Sequence, residues 1–141
     1  YNVGKAFSVV SSKGYSHITW SKHEKIDISS SLSLSMYRQS SDGVSLVFNR
    51  ENDLNDNTIM LISKKGEKTL EFNFKGIIGD IQFSHGHIYC ISESKVYLFD
   101  KEGEGLGLSD CDYGVVRIAP TGAHSMVTIT DSEIKKLEIK N

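Results

Sequence analysis

The sequence predicts an all-β protein built from repeated antiparallel meander units. Its apolar stretches are short, rich in β-branched and aromatic residues, and separated by clusters of Gly, Ser, Asp and Asn, with one proline at Pro120. No segment longer than about ten residues keeps the three-and-four spacing that an amphipathic helix needs. Strands joined by tight turns therefore account for the pattern better than helices.

A recurring turn sets the length of the unit. A polar turn ending in Gly precedes a predicted strand four times, at Ser12-Lys13-Gly14, Ser41-Asp42-Gly43, Ser84-His85-Gly86 and Pro120-Thr121-Gly122. The last three glycines are 43 and 36 residues apart, which brackets the roughly 40 residues of a four-stranded propeller blade. The first interval, 29 residues, suggests a missing strand.

These turns divide the 141 residues, as one all-β domain or propeller fragment, into approximate units 1–31, 32–76, 77–113 and 114–141. The second and third units share the order of their strands and turns, with one long turn predicted from Glu51 to Asn57 in the second.

Hydrophobic patterning agrees with stacked units. Middle strands of a stack are covered on both faces, and outer strands keep one face in water. Residues 59–62, 88–91 and 96–99 are continuous apolar runs, whereas residues 70–74 alternate. We therefore expect an incomplete β-propeller-like array of antiparallel meander blades, about three and a half in number, with a β-sandwich as the alternative.

The stretch 80–104 resembles a WD40-like or quinoprotein-like propeller blade, and Phe83-Ser84-His85-Gly86 is similar to its inner-strand turn, although the Trp-Asp signature is absent. Residues 114–120 and 130–134 resemble membrane-tethered, propeller-like domains of unknown function from Gram-positive bacteria. That resemblance implies an extracytoplasmic location, with the tether outside this segment, and implies no catalytic residues.

Charge and hydropathy narrow the range of partners. A formal net charge of -2 and a pI near 6.2, without a cluster of Lys and Arg, argue against nucleic acid. No window approaches the roughly 18 apolar residues that cross a bilayer, so we expect no direct membrane insertion of this segment.

An open array exposes apolar faces at 1–31 and 114–141, which predicts completion by a second copy or by the remainder of a longer chain.

One acidic segment has part of a calcium-loop pattern. Asp53, Asn55 and Asn57 occupy alternate positions as calcium ligands do, but Thr58 replaces the required Gly and Lys64 replaces the required Glu. We expect a solvated hairpin turn.

The histidines show no metal-site spacing. His85 and His87 flank Gly86 without an adjacent third ligand, and His17, His23 and His124 are isolated in sequence. We expect exposed turn histidines and no metal.

Two other residues, Trp20 and Cys90, have two interpretations each. Trp20 is predicted to lie in the core, with an exposed platform for sugar or peptide as the alternative. Cys90 is predicted to be a buried free thiol, with a bridge to Cys111 as the alternative.

No nucleophile elbow, phosphate-binding glycine loop or zinc-protease motif occurs. The sequence therefore predicts no catalytic, cofactor-binding or metal-binding residues and no cofactor, and favours a non-catalytic binding or scaffold module that uses loops on one face of the array. The alternatives are a fragment of a propeller enzyme acting on carbohydrate and a self-assembling structural module.

Overall fold

A computed structural model describes residues 26–139 in full and, before them, the backbone of strands at 2–3, 6–11, 14–18 and 23–25. In this part of the chain, fifteen strands form four antiparallel sheets, each taking its strands in chain order. The first sheet contains β1 (Asn2–Val3), β2 (Ala6–Ser11), β3 (Gly14–Ile18) and β4 (His23–Asp27); the second contains β5 (Leu32–Ser40), β6 (Gly43–Arg50), β7 (Asp53–Ser63) and β8 (Lys68–Lys75). The third contains β9 (Ile78–Ser84), β10 (His87–Ser92), β11 (Lys95–Asp100) and β12 (Gly105–Asp110), and the fourth contains β13 (Arg117–Pro120), β14 (Ser125–Ile129) and β15 (Ile134–Glu138). The prediction of an all-β protein is confirmed, and no helix among these described residues is long and apolar enough to span a membrane.

The second, third and fourth sheets stack face to face with their first strands side by side. Strand β5 contacts β9, and β9 contacts β13, so the first strands of these three sheets lie on the inner side of the stack. Apolar clusters fill the spaces between neighbouring sheets, and Ile26 of β4 packs against the cluster of the second sheet. This is the arrangement of consecutive propeller blades, and the predicted incomplete propeller-like array is confirmed rather than the sandwich.

Burial follows the predicted difference between middle and outer strands. Residues 43–49 of β6 and 57–62 of β7 are buried without interruption, as are residues 88–92 of β10. The outer strands β8 and β12 instead alternate between exposed and half-buried positions along most of their length. The continuous apolar runs of the sequence are therefore strands covered by a neighbouring sheet on each face.

Two expectations about strand boundaries were wrong. The first sheet has four strands within residues 2–27, so the short interval before Gly43 reflects short strands rather than a missing one. The predicted long turn from Glu51 to Asn57 is a two-residue turn at Glu51 and Asn52, with φ of 51° and 60°, and β7 already begins at Asp53. Positive φ at both central residues matches the twist of a hairpin, which explains why so short a turn is sufficient.

The recurring glycine has a steric reason at Gly43. This residue has a φ of 143°, and an added Cβ would lie 2.1 Å from the carbonyl oxygen of Ile62 on β7. Only glycine allows this approach of β6 to β7, which is why the Ser-Asp-Gly turn marks the start of the second strand.

A buried carboxylate joins the inner strands of three consecutive sheets. Asp80 on β9 is fully buried, and its Oδ1 accepts a hydrogen bond from Arg38 Nε on β5 at 2.8 Å. Its Oδ2 accepts from the backbone N–H of Ile118 on β13 at 2.9 Å. An unpaired carboxylate is costly to bury, so these two donors are what make Asp80 tolerable at this position.

We expect Asp80→Ala to lower the free energy of unfolding by about 3 kcal/mol, because it leaves the Arg38 guanidinium and the Ile118 amide without their acceptor. Urea denaturation measures the change. Asp80→Asn should lower the free energy of unfolding less, since the amide oxygen still accepts one hydrogen bond. The control is Asp131→Ala, at an exposed position, which should change stability by no more than about 0.5 kcal/mol. Equal stabilities for Asp80→Ala and Asp131→Ala would contradict this role.

Candidate functional site

Three turns between first and second strands meet at one end of the stack, and we call this surface the turn face: residues 41–42, 85–86 and 121–124. Hydrogen bonds link these turns from sheet to sheet. Asp42 Oδ2 accepts from the backbone N–H of Gly86 at 3.0 Å. The Tyr89 hydroxyl donates to the Gly122 carbonyl and lies 3.0 Å from the carbonyl oxygen of Ala123.

The polarity of Tyr89 changes along its side chain. The residue is buried between the third and fourth sheets, and its hydroxyl reaches the Gly122 carbonyl in the turn at 121–124. Burial raises the pKa of Tyr89, and the negative charge of Asp42 raises it further. Tyr89 therefore keeps its proton and remains a hydrogen-bond donor to the fourth sheet under ordinary conditions.

A groove of about 480 Å³ opens beside the turn face, between the second and third sheets. Its lining combines apolar, hydroxyl and charged side chains, from Asp42, Ser63, Thr69, Leu70, Phe83, Lys101 and Glu102. The lining comes from both sheets, so the groove exists only when the two are stacked.

The Asp100 side chain holds the turn that carries Lys101 and Glu102. Asp100 Oδ1 accepts from the N–H groups of Glu102 and Glu104, each at 2.9 Å. At Gly103 of the same turn, an added Cβ would lie 3.5 Å from the Leu70 and Phe72 side chains. The turn that forms one wall of the groove is thus held by the Asp100 side chain and by its contact with the second sheet.

Aromatic rings pack between the same two sheets. Phe72 and Phe99 have ring centroids 5.4 Å apart, and Phe74 meets Tyr97 edge to face at 5.1 Å. Edge-to-face and tilted contacts are the favoured geometries of aromatic pairs and add to the area that these rings bury. The interface between the second and third sheets is therefore well packed.

The structure brings together two histidines that are 37 positions apart in the sequence, His87 and His124. His87 and His124 have ring centroids 6.0 Å apart at the turn face, and His87 Nδ1 donates to the carbonyl of His85 at 2.7 Å. His85 is exposed, as expected, but the same expectation was wrong for His87, which is half-buried and begins β10; His124 is exposed. Within residues 26–139, no group of three His, Cys, Asp or Glu side chains is arranged to hold a metal ion. The side chains of His17 and His23 lie outside the described residues, as does Trp20.

The calcium-like segment has a structural role. Asp53 Oδ1 accepts from the N–H of Asn55 at 2.9 Å. Asn57 is buried, accepts from Asn49 Nδ2 at 2.7 Å and donates to the carbonyls of Leu54 and Gly76. Asn57 thus fastens the connection between the second and third sheets, and the three residues do not form the oxygen shell of a cation.

Both cysteines are free, and Cys90 is buried as predicted. Burial raises the pKa of the Cys90 thiol, and Asp80 raises it further. Burial also raises the pKa of Cys111, with added contributions from Asp112 and Asp110. Neither thiol has the lowered pKa that marks a reactive cysteine.

Sequence reasoning missed Asp42, Tyr89 and the groove. Asp42 was visible as the central residue of a repeated turn, but its bonding partner is 44 residues away in another sheet. Tyr89 lies inside an apolar run, where the sequence indicates burial and gives no sign of its bond to the Gly122 carbonyl.

Comparisons with known proteins agree with this architecture. A model described as "Family of unknown function (DUF5711)" matches residues 6–139. The chain belongs to the DUF5711 family. A search of the curated proteins found no match to this sequence.

A crystal structure of a protein of unknown function from Bacteroides caccae has a similar fold. The TM-score is 0.51 at 17% sequence identity, and the match covers 96% of this chain and 56% of that chain. The DUF5711 chain therefore spans little more than half the length of this neighbour, and the likeness concerns the fold alone.

We expect Tyr89→Phe to cost about 1 kcal/mol of stability, because it removes the hydrogen bond to the fourth sheet. Since the folded-state pKa is raised, the contribution of Tyr89 is fully present below roughly pH 10 and is lost as pH rises through the folded value. Urea unfolding between neutral pH and about pH 11 measures both effects.

The control is Tyr113→Phe, because Tyr113 is 92% exposed. At neutral pH, Tyr113→Phe should be as stable as the unaltered protein, and it should lose as much stability as that protein when the pH is raised to about 11. Tyr89→Phe should lose less stability over the same pH range. Identical alkaline profiles for the two variants would contradict the assignment to Tyr89.

Proposed function

We propose that this DUF5711 chain is a non-catalytic binding or scaffold module whose contact surface is the turn face with its adjoining groove. The observation that carries the proposal is the fastening of these turns across three sheets: Asp42 binds the Gly86 amide of the next turn, and Tyr89 on β10 binds the Gly122 carbonyl of the third turn. Turns held in one geometry lose less conformational entropy when a partner binds. Loops on a rigid scaffold are also where proteins commonly place binding residues.

The groove chemistry favours a short segment of a partner protein as the ligand. Leu70 and Phe83 offer apolar surface, Ser63 and Thr69 offer hydroxyl groups, and Lys101 and Glu102 offer opposite charges. A peptide segment presents the complementary set: an apolar side chain, backbone amides and a charged group. A volume near 480 Å³ is within the range of ligand sites and suffices for a few residues rather than a whole domain.

The alternative of an enzyme acting on carbohydrate has less support. Asp42 and Glu102 both line the groove, but Asp42 is already engaged by the Gly86 amide and by the Ser41 hydroxyl at 3.2 Å. A carboxylate that fixes a turn is better suited to positioning than to proton transfer. The binding module therefore remains the stronger proposal.

The WD40-like or quinoprotein-like character and the extracytoplasmic, membrane-tethered bacterial setting belong to the same proposal. Their support is the resemblance of residues 80–104 to a propeller blade and of residues 114–120 and 130–134 to membrane-tethered, propeller-like domains. A surface of turns that binds a protein segment would suit a receptor or scaffold domain outside the cell.

We expect a phage-displayed library of random peptides to yield enriched sequences that bind the immobilised chain. Synthetic peptides of these sequences, measured by fluorescence anisotropy, should bind Lys101→Glu and Thr69→Trp at least about tenfold more weakly. Lys101→Glu reverses a charge in the groove lining, and Thr69→Trp places a large side chain in the groove.

The matched control is Lys75→Glu, because Lys75 is 74% exposed on the outer strand of the second sheet and does not line the groove. Its affinity for the peptides should remain that of the unaltered chain. No enrichment from the library, or equal affinity for all three variants, would contradict the proposal.

A further inference from the structure

One outer edge of the array differs from the others in its lack of charged side chains. Strand β12 is the last strand of the third sheet, and no strand pairs with its far side among the described residues. The last strands of the other sheets, β4, β8 and β15, each contain three residues that are Asp, Glu or Lys. Strand β12 has the sequence Gly-Leu-Gly-Leu-Ser-Asp, with a single charge at its final residue, Asp110. Charges on an edge strand are a common means of preventing it from pairing with another chain, and β12 largely lacks them.

The ladder between β11 and β12 determines which backbone groups of this edge are free. The Cys111 N–H donates to the Ser94 carbonyl at 2.9 Å, and the register is regular over residues 107–110. In an antiparallel ladder, residues that bond to the neighbouring strand alternate with residues that direct their N–H and C=O away from it. Leu108 and Asp110 therefore direct their backbone groups outward. Each offers one donor and one acceptor to an added strand.

Apolar side chains accompany this free backbone edge. Leu106 is 36% exposed and Leu108 is 47% exposed. Leu108 pairs with Tyr97, whose ring packs against Phe74 of β8, so the Leu108 side chain lies on the face directed toward the second sheet. A strand added to β12 would place one of its own side chains beside Leu108 and cover part of that exposed surface. An apolar side chain is favoured at this position.

Acidic residues at both ends of β12 specify the charge of the occupant. Residues 102–112 contain no Lys or Arg and four acidic residues, Glu102, Glu104, Asp110 and Asp112. Three of the four have a lysine partner, whereas Glu104 has no ion pair among the described residues. Antiparallel pairing with β12 of a second copy would bring Glu104 of each chain near Asp110 of the other, and like charges across a strand pair are destabilising. The charges therefore disfavour a second copy and favour a segment with basic ends.

We propose that the outer edge of β12 binds an extended segment of a partner protein by strand addition, and that this segment has an apolar centre with Lys or Arg at its ends. Backbone hydrogen bonds to Leu108 and Asp110 supply the affinity in this mode of recognition, and the side chains supply the specificity. None of residues 105–110 lines the groove between the second and third sheets. The edge is therefore a second contact surface, and its test is independent of the groove.

A fluorescein-labelled peptide, Lys-Thr-Val-Thr-Val-Thr-Lys, tests the edge by fluorescence anisotropy at low salt. Leu108→Pro should weaken its binding at least about tenfold, because proline removes the outward N–H and leaves the donors of the β11 ladder in place. Leu108→Val is the matched control, because it keeps the N–H and an apolar side chain, and it should bind the peptide like the unaltered chain. Circular dichroism should show both variants folded. Equal binding by the two variants would overturn the proposal.

Charge reversal gives a second test at an exposed side chain. Glu104→Lys should weaken binding of the Lys-ended peptide about threefold and strengthen binding of a peptide with Glu at both ends, because it replaces an attraction with a repulsion. This variant leaves the backbone of β12 unchanged. Equal affinity of the unaltered chain for the two peptides would overturn the assigned chemistry of the partner.

Amide hydrogen exchange followed by NMR locates the added strand. At saturating Lys-ended peptide, the amides of Leu108 and Asp110 should exchange at least about tenfold more slowly, because their N–H groups become hydrogen-bonded. Binding without this protection, or no binding of the Lys-ended peptide, would overturn strand addition at β12. Self-association of the unaltered chain that Leu108→Pro abolishes would also overturn the proposal, because the occupant would then be a second copy.

Discussion

The buried carboxylate of Asp80 is the constraint on which the inner side of this array depends. It holds Arg38 of the preceding sheet with one oxygen and the Ile118 amide of the following sheet with the other. Because a carboxylate in a buried site needs both donors, the first strands of three sheets must lie at one mutual spacing. Apolar contacts alone are less directional and would tolerate a range of shifts between sheets. The polar network therefore sets the alignment, and the apolar clusters supply most of the attraction.

The geometry of the turn face follows from that alignment. Each first strand leads directly into a turn, so fixing the strands also fixes the separation of the turns at 41–42, 85–86 and 121–124. Asp42 and Tyr89 then complete short bonds from one sheet to the next. The groove with Leu70, Phe83 and Lys101 forms beside them because two sheets contribute its walls. A single blade of this chain would have neither the linked turns nor the groove.

Local patterns predicted the strands well and the connections less well. Runs such as 59–62 and 88–91 are apolar on successive residues, which only a strand covered on both faces requires. The segment from Glu51 to Asn57 was wrongly predicted to be one long turn because its polar residues resemble those of a loop. Asn57 is polar because it bonds Asn49 and the Gly76 carbonyl inside the structure, and those partners cannot be recognised from the segment itself.

The sequence by itself determined that the chain is all-β, that a Gly-ended turn recurs in each unit, and which strands are buried on both faces. Those properties depend on residue spacing and local backbone preference, as at Gly43, where only glycine avoids the Ile62 carbonyl. Only the tertiary structure decided that Asp80 joins three sheets, that His87 meets His124, and that Asp42 binds the Gly86 amide. Each of these contacts joins residues 37 or more positions apart, and such pairs leave no periodic trace in one sequence. Their geometry is created by stacking, and stacking is a property of the whole array.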